Sequence, residues 1–256
     1  MTGGIFMRHK EFIKILPSAD TAVLFIHGII GTPNFFNNFI PLIPHDWSIC
    51  NLLLDGHGKG IDDFSKTSMD KWQAQVEEWV EKLCAEHKHI IIVGHSMGTL
   101  FAIQQGIRRP DKIKTLILLA TPLKVFVKPD AFHITAKMFL KSTRRKDLVA
   151  RTARKVYGIK LVPKPEKYVG WIPRYLELFR EIFKTRDSIA QLSVPCYVFQ
   201  SKKDELVSMD SCKILETNNA IHITILENSS HFYYPEDDHK ILITEFKKLI
   251  ESCSNL

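Results

Sequence analysis

The stretch IIIVGHSMGTLFA, from Ile90 to Ala102, runs an apolar segment into a glycine, a histidine, a serine and a second glycine before an apolar-periodic segment resumes. A serine squeezed between small residues at such a junction reads in two ways. It caps a helix in a tight strand-to-helix turn, or it is a nucleophile held on that turn. Gly94-His95-Ser96-Met97-Gly98 fits G-x-S-x-G with the flanks that give the pattern meaning, a β-branched run before it and helical spacing after it. Small residues on both sides let strand and helix approach closely, and a turn that sharp holds the serine in a strained backbone conformation. The hydroxyl then stands at the carboxyl end of a strand, where open α/β sheets bind ligands. The flanks favour the nucleophile.

Outward from this stretch, short β-branched runs alternate with helix-like segments, the signature of a mainly parallel central sheet flanked by helices. Candidate strands are Ala22–Ile26, Ser48–Leu54, Ile90–Val93, Thr115–Leu119, Cys196–Gln200 and His222–Leu226. Between the second and third, Met69, Trp72, Val76, Trp79, Val80 and Leu83 recur at helical spacing. Further helices fit Met97–Arg109, Met209–Asn218 and Pro235–Ser252. The alternation breaks from Pro122 to about Ala190, which reads as basic amphipathic helices punctuated by prolines. That stretch carries 17 Lys and Arg against 6 Asp and Glu, whereas the rest of the chain has 18 against 22. The simplest reading is a core of residues 1–121 and 191–256 with an inserted basic helical cap, residues 122–190.

A serine nucleophile needs a base and, for acyl transfer, donors for the developing oxyanion. His27-Gly28-Ile29-Ile30-Gly31 follows the first apolar strand, where a loop can aim the Ile29 N–H at a carbonyl oxygen; the Met97 N–H, next to the nucleophile, supplies the other donor. Base and orienter are expected on later strand ends, in the order serine, acid, histidine. Asp204 lies just past the strand ending at Gln200, and His231 past the strand ending at Leu226. Glu205 is the neighbour best placed to substitute for Asp204, while Asp210 falls within the next helix. His57, in Asp55-Gly56-His57-Gly58, reads as part of a glycine turn, with pocket lining as the lesser reading. His95 reads as a packed histidine whose side chain points away from the site. No H-E-x-x-H, G-x-x-x-x-G-K or G-x-G-x-x-G occurs, so no zinc-protease, P-loop or dinucleotide fingerprint competes.

Composition narrows the setting. The 45% hydrophobic and 25% charged content is that of an ordinary globular chain. Five scattered cysteines without a CxxC pair argue against a disulfide framework or a zinc site and suit a reducing, cytoplasmic setting. No cofactor or metal is called for. Phe126, Phe132, Met138, Phe139, Trp171, Tyr175 and Phe179 of the cap read either as an acyl pocket or as packing of cap helices on the core. The cap's basic charge is a solvated face or a contact for anionic lipid, and nothing reads as a nucleic-acid module.

Taken together, FIHGIIGTP, LLLDGHGKGIDDF, the tryptophan-bearing helix after it, VGHSMG, SKKDELV and SSHFYY resemble the α/β-hydrolase fold. Within it the chain resembles the bacterial carboxylesterase and monoacylglycerol-lipase-like branch often grouped with the serine aminopeptidases. That resemblance implies a Ser96, Asp204, His231 triad with an Ile29 and Met97 oxyanion hole, cleaving short- to medium-chain acyl esters or monoacylglycerols through an acyl-enzyme. Thioesterase, amidase and acyltransferase chemistry use the same residues, and a non-catalytic ligand-binding scaffold is the reading from another class. The long basic cap matches no pattern tied to a substrate.

Overall fold

The computed structural model describes residues 9–126, 148–162 and 164–254. Seven strands form one sheet: β1 (Phe12–Lys14), β2 (Thr21–Ile26), β3 (Ser48–Asn51), β4 (His89–His95), β5 (Ile113–Leu119), β6 (Cys196–Ser201) and β7 (Ile221–Leu226). Their order is β1-β3-β2-β4-β5-β6-β7, with β1 antiparallel to β3 and every other pairing parallel. The sheet is covered on both faces, so its inner strands are apolar at successive positions and do not alternate. Ile90 and Ile92 of β4 face one core with Trp72, Val76 and Val80. Ile91 and Val93 face the other, with Phe25, Phe36 and Phe246.

The helices are α1 (Ile61–Ser65), α2 (Met69–Glu86), α3 (Met97–Arg108), α4 (Leu148–Val156), α5 (Ile172–Ser188), α6 (Asp210–Leu215) and α7 (Glu236–Cys253). Two expectations shift, and one strand is added. The strand expected over Ser48–Leu54 ends at Asn51; the chain turns out through Gly56 and Gly58, both at positive φ (76° and 75°). The helix expected from Met209 to Asn218 is the shorter α6. The edge strand β1 has no counterpart in the sequence reading, because three half-exposed residues carry little pattern.

Between β5 and β6, two of the contacts that the described chain makes with the core tie down loops and helix ends beside the sheet. Near its first half, Gly158 donates its N–H to the Ile30 carbonyl (2.7 Å), accepts the Gly58 N–H (2.6 Å), and is followed by a bond from Lys160 N to the Lys59 carbonyl (3.3 Å). A Cβ at Gly158 would run into the Gly31 carbonyl, so the approach needs glycine. Further on, α5 packs against α3, where Gln104 donates to Glu181 and to Thr185 Oγ1. Arg174 of α5 donates to the Ser65 and Thr67 carbonyls at the end of α1, while its ion-pair partner Glu177 accepts the Met69 N–H (2.9 Å) at the start of α2. One pair therefore satisfies orphan groups of two helix ends.

Candidate active site

Ser96 sits between β4 and α3 at φ 52°, ψ −122°, outside the regions L-residues ordinarily occupy. Its N–H donates to the Leu119 carbonyl of β5 (2.9 Å), and its carbonyl accepts the Thr99 N–H (2.9 Å) and Thr99 hydroxyl (2.6 Å). The backbone is thus clamped by the neighbouring strand and by the first turn of α3. Its side chain caps nothing, which removes the capping-serine reading. Glycines make the turn possible: a Cβ on Gly98 would strike the Ile26 carbonyl, and one on Gly28 would lie 2.8 Å from Ser96 Cβ. The β2 loop bearing Ile29 therefore abuts the serine turn.

Asp204 and His231 meet although 27 residues separate them. His231 Nδ1 lies 2.8 Å from Asp204 Oδ2, and both side chains are buried. The other carboxylate oxygen, Oδ1, accepts the Leu206 and Val207 N–H groups (2.8 and 2.9 Å). A side chain of aspartate length turned back on its own loop leaves Oδ2 facing the imidazole. Burial alone would lower the His231 pKa, but the Asp204 charge and hydrogen bond, with Glu205 behind them, outweigh it and raise the pKa above its ordinary 6.5. Among the described residues no hydrogen bond joins Ser96 Oγ to the His231 ring; in resting enzymes this contact is often loose and tightens with substrate.

Glu205 does not compete for the imidazole. Its Oε2 accepts the backbone N–H of His231 (3.0 Å). His95 packs as expected, stacked on Phe35 with ring centroids 3.8 Å apart. It does not point away from the site, because Nε2 donates to the His231 carbonyl (3.1 Å). Burial and the neighbouring His231 push its pKa well below the usual range. His27 accepts the Leu54 N–H at Nε2 (3.1 Å), so its proton sits on Nδ1 and is donated to the Gly28 carbonyl (2.8 Å). That bond shapes the loop carrying Ile29. His57 lies in the glycine turn, between Gly56 and Gly58, with its side chain buried among the rings of His27, Phe64 and Trp72. Asp210 is engaged at the surface with Lys124 and Lys213, which hold its carboxyl at about 2.

Around this centre, the Tyr157 ring lies 5.4 Å from Phe232, the residue after His231. Burial pushes the Tyr157 phenol up, and that of Tyr175 to about 12. Of the aromatic residues read as an acyl pocket or as packing on the core, Trp171 packs against Phe64 and Tyr168, while Phe126 and Phe179 are exposed. Phe132, Met138 and Phe139 lie outside the described residues. Sequence reasoning missed the grips of Glu205 and His95 on His231 and the tie at Gly158; each ends on a main-chain group far away in sequence, and no local signal marks them.

Residues 17–243 match the family described as serine aminopeptidase, S33. The chain belongs to this family of α/β-hydrolase-fold serine hydrolases. Over 118 residues it is 29% identical to a pimeloyl-[acyl-carrier protein] methyl ester esterase of Neisseria meningitidis, covering 45% of this chain and 35% of that one. Over 98 residues it is 29% identical to a thermostable monoacylglycerol lipase of a Bacillus species, covering 37% of this chain and 38% of that one. The chain thus spans little more than a third of these curated relatives in the matched stretch. A solved structure of a metagenome-derived lipolytic enzyme, from work on LipS and LipT, superposes with a TM-score of 0.73 over 96% of this chain and 98% of that one; at 16% identity, this likeness speaks for the fold. No helix among the described residues is long and apolar enough to cross a membrane.

Proposed function

We propose that this member of the family hydrolyses carboxylic esters, of short- to medium-chain acids or of monoacylglycerols, through Ser96, His231 and Asp204. The observation that carries the reading is the 2.8 Å His231–Asp204 pair at the carboxyl edge of the same sheet that holds Ser96 on a strained turn with its hydroxyl uncommitted to the helix. His231 Nε2 takes the Ser96 proton as Oγ attacks the acyl carbon, and Asp204 keeps the proton on Nδ1 and stabilises the imidazolium. Collapse of the tetrahedral intermediate passes that proton to the leaving alcohol. Water, activated by the same imidazole, then cleaves the acyl-serine. Met97 heads α3, so its N–H is among the first-turn donors without an intrahelical acceptor. With the Ile29 N–H it forms the oxyanion hole, each donor contributing roughly 3 kcal/mol to the transition state.

Residues 122–190 act in this reading as the cap that selects the acyl group, with a core of 1–121 and 191–256. The basic composition of that stretch suits ester substrates presented near anionic lipid, and five free cysteines fit a reducing cytoplasm. A fluorophosphonate probe should label the wild type and fail on Ser96→Ala, with turnover of a p-nitrophenyl ester chain-length series and of monoacylglycerols lost in step. Labelling or ester turnover retained in Ser96→Ala refutes the assignment; a folded wild type that neither labels nor turns over points to a ligand-binding scaffold.

A further inference from the structure

His231 is held at three points, and only the contact with Asp204 belongs to the triad. On one side of its backbone, the N–H donates to Glu205 Oε2 (3.0 Å); on the other, the carbonyl accepts His95 Nε2 (3.1 Å). Glu205 is 5% exposed, and its partner is a main-chain group. A carboxylate spent on one neutral N–H at that depth is costly unless its charge has a further use. Two acidic residues, adjacent in the chain, thus converge on one histidine, Asp204 at the ring and Glu205 at the backbone.

We infer that Glu205 is a positioning residue for His231, fixing the height of the imidazole above the Ser96 turn through the backbone N–H and supplying a second negative charge to the base. The inference rests on the esterase reading only for its kinetic consequence; the grip on His231 stands apart from it. Other titratable groups around this centre are Asp204 on the ring, His95 from β4 with its ring centroid 4.9 Å away, Tyr157 at the end of α4, and Tyr234 three residues on. His95 and the two phenols are neutral at working pH, because burial lowers the pKa of the first and raises those of the others. Asp204 and Glu205 therefore supply the negative charge acting on His231. Burial pushes the Glu205 pKa upward while the His231 N–H opposes it, so Glu205 and His231 titrate as a coupled pair.

Three variants separate charge from grip. Glu205→Gln keeps an acceptor of the same length without charge, Glu205→Asp keeps the charge but withdraws it by a methylene, and Glu205→Ala removes both. Two readouts apply: the pH dependence of kcat and kcat/KM on p-nitrophenyl butyrate, and an NMR titration of the His231 ring in protein labelled with 15N-histidine, with thermal melts to establish folding. In Glu205→Gln the acid limb of kcat/KM and the ring titration move together to lower pH by about half to one unit, while plateau kcat stays within about threefold. In Glu205→Ala plateau kcat falls by about ten- to a hundredfold with KM little changed, the cost of a displaced base. Glu205→Asp lowers plateau kcat while the ring titration stays near that of the wild type. An unmoved acid limb and ring titration in Glu205→Gln overturn the charge role, and a wild-type plateau in Glu205→Ala overturns the positioning role. If no ester is turned over yet the ring titration responds to Glu205→Gln, the functional reading fails and the inference about Glu205 stands.

Discussion

Acidification from pH 7.5 to 4.5 acts on a buried histidine outside the proposed catalytic centre. His57 Nδ1 lies 3.2 Å from both the Leu54 and Asp55 carbonyls, so it carries the ring proton. Its Nε2 is buried without a partner among the described residues, within the rings of His27 (4.7 Å), Trp72 (5.2 Å) and Phe64 (5.3 Å). Protonating Nε2 would put a charged N–H where nothing accepts it, and burial lowers the pKa from 6.5 to about 4. The unfolded chain takes the proton near 6.5 and the folded chain resists until about 4, so the unfolded state binds more protons in that window. Stability is therefore unaffected by this group above pH 6.5, and the loss grows as pH falls toward 4. At about 1.4 kcal/mol per pH unit, the loss approaches roughly 3 kcal/mol. For a chain of this size that is about 6–12 °C in Tm. His27 and His95 shift in the same direction, whereas the raised pKa of His231 opposes them. Only a difference between variants isolates His57. The assay is a series of calorimetric melts of wild type and His57→Phe, a ring that keeps the aromatic packing and does not titrate. The variant should lose less stability on acidification than the wild type, by roughly 3 kcal/mol at the lowest pH. Parallel curves would refute the reasoning, whatever the variant's stability at pH 7.5.

Gly158→Ala forces a Cβ into the Gly31 carbonyl and strains the tie to Ile30; kcat on p-nitrophenyl esters should fall by about tenfold or more through the shifted Ile29 donor, and steady-state kinetics with unaltered far-UV circular dichroism checks it. Glu177→Ala takes the acceptor from the Met69 N–H and the partner from Arg174, so chemical denaturation should show a loss of about 1–3 kcal/mol with kcat little changed.

The central strand and the serine turn were legible because each leaves a local mark. Burial on both faces demands an unbroken β-branched run such as Ile90–Val93. The close approach of α3 to the end of β2 excludes any side chain at Gly98, so the turn writes its geometry into the sequence as glycines. Position after a strand end singled out Asp204 and His231, but their division of labour with Glu205 was not legible. Aspartate is short enough for Oδ1 to fold onto the Leu206 and Val207 N–H groups and leave Oδ2 for the ring. The next residue, one methylene longer, reaches the His231 backbone instead. Composition alone makes the two look interchangeable.

The residues between β5 and β6 resisted reading for a different reason. Their charge pattern suggests a solvated face, and Arg174 and Glu177 look like an ordinary pair one helical turn apart. In the fold the pair closes the ends of α1 and α2, whose backbone groups lie more than a hundred residues away. Nothing in local spacing encodes such a partner. The same holds at Gly158, whose two hydrogen bonds span the loops that follow β2 and β3. Ile30 sits there at φ 53°, an uncommon conformation for a β-branched residue, with its carbonyl bonded to the Gly158 N–H. Strain of that kind persists only when the surroundings over-determine it. The segment that selects the acyl group in the proposed reading is therefore bonded to the loop that carries the oxyanion donor. Substitutions around Gly158 should then alter turnover and substrate choice together across a chain-length series of p-nitrophenyl esters.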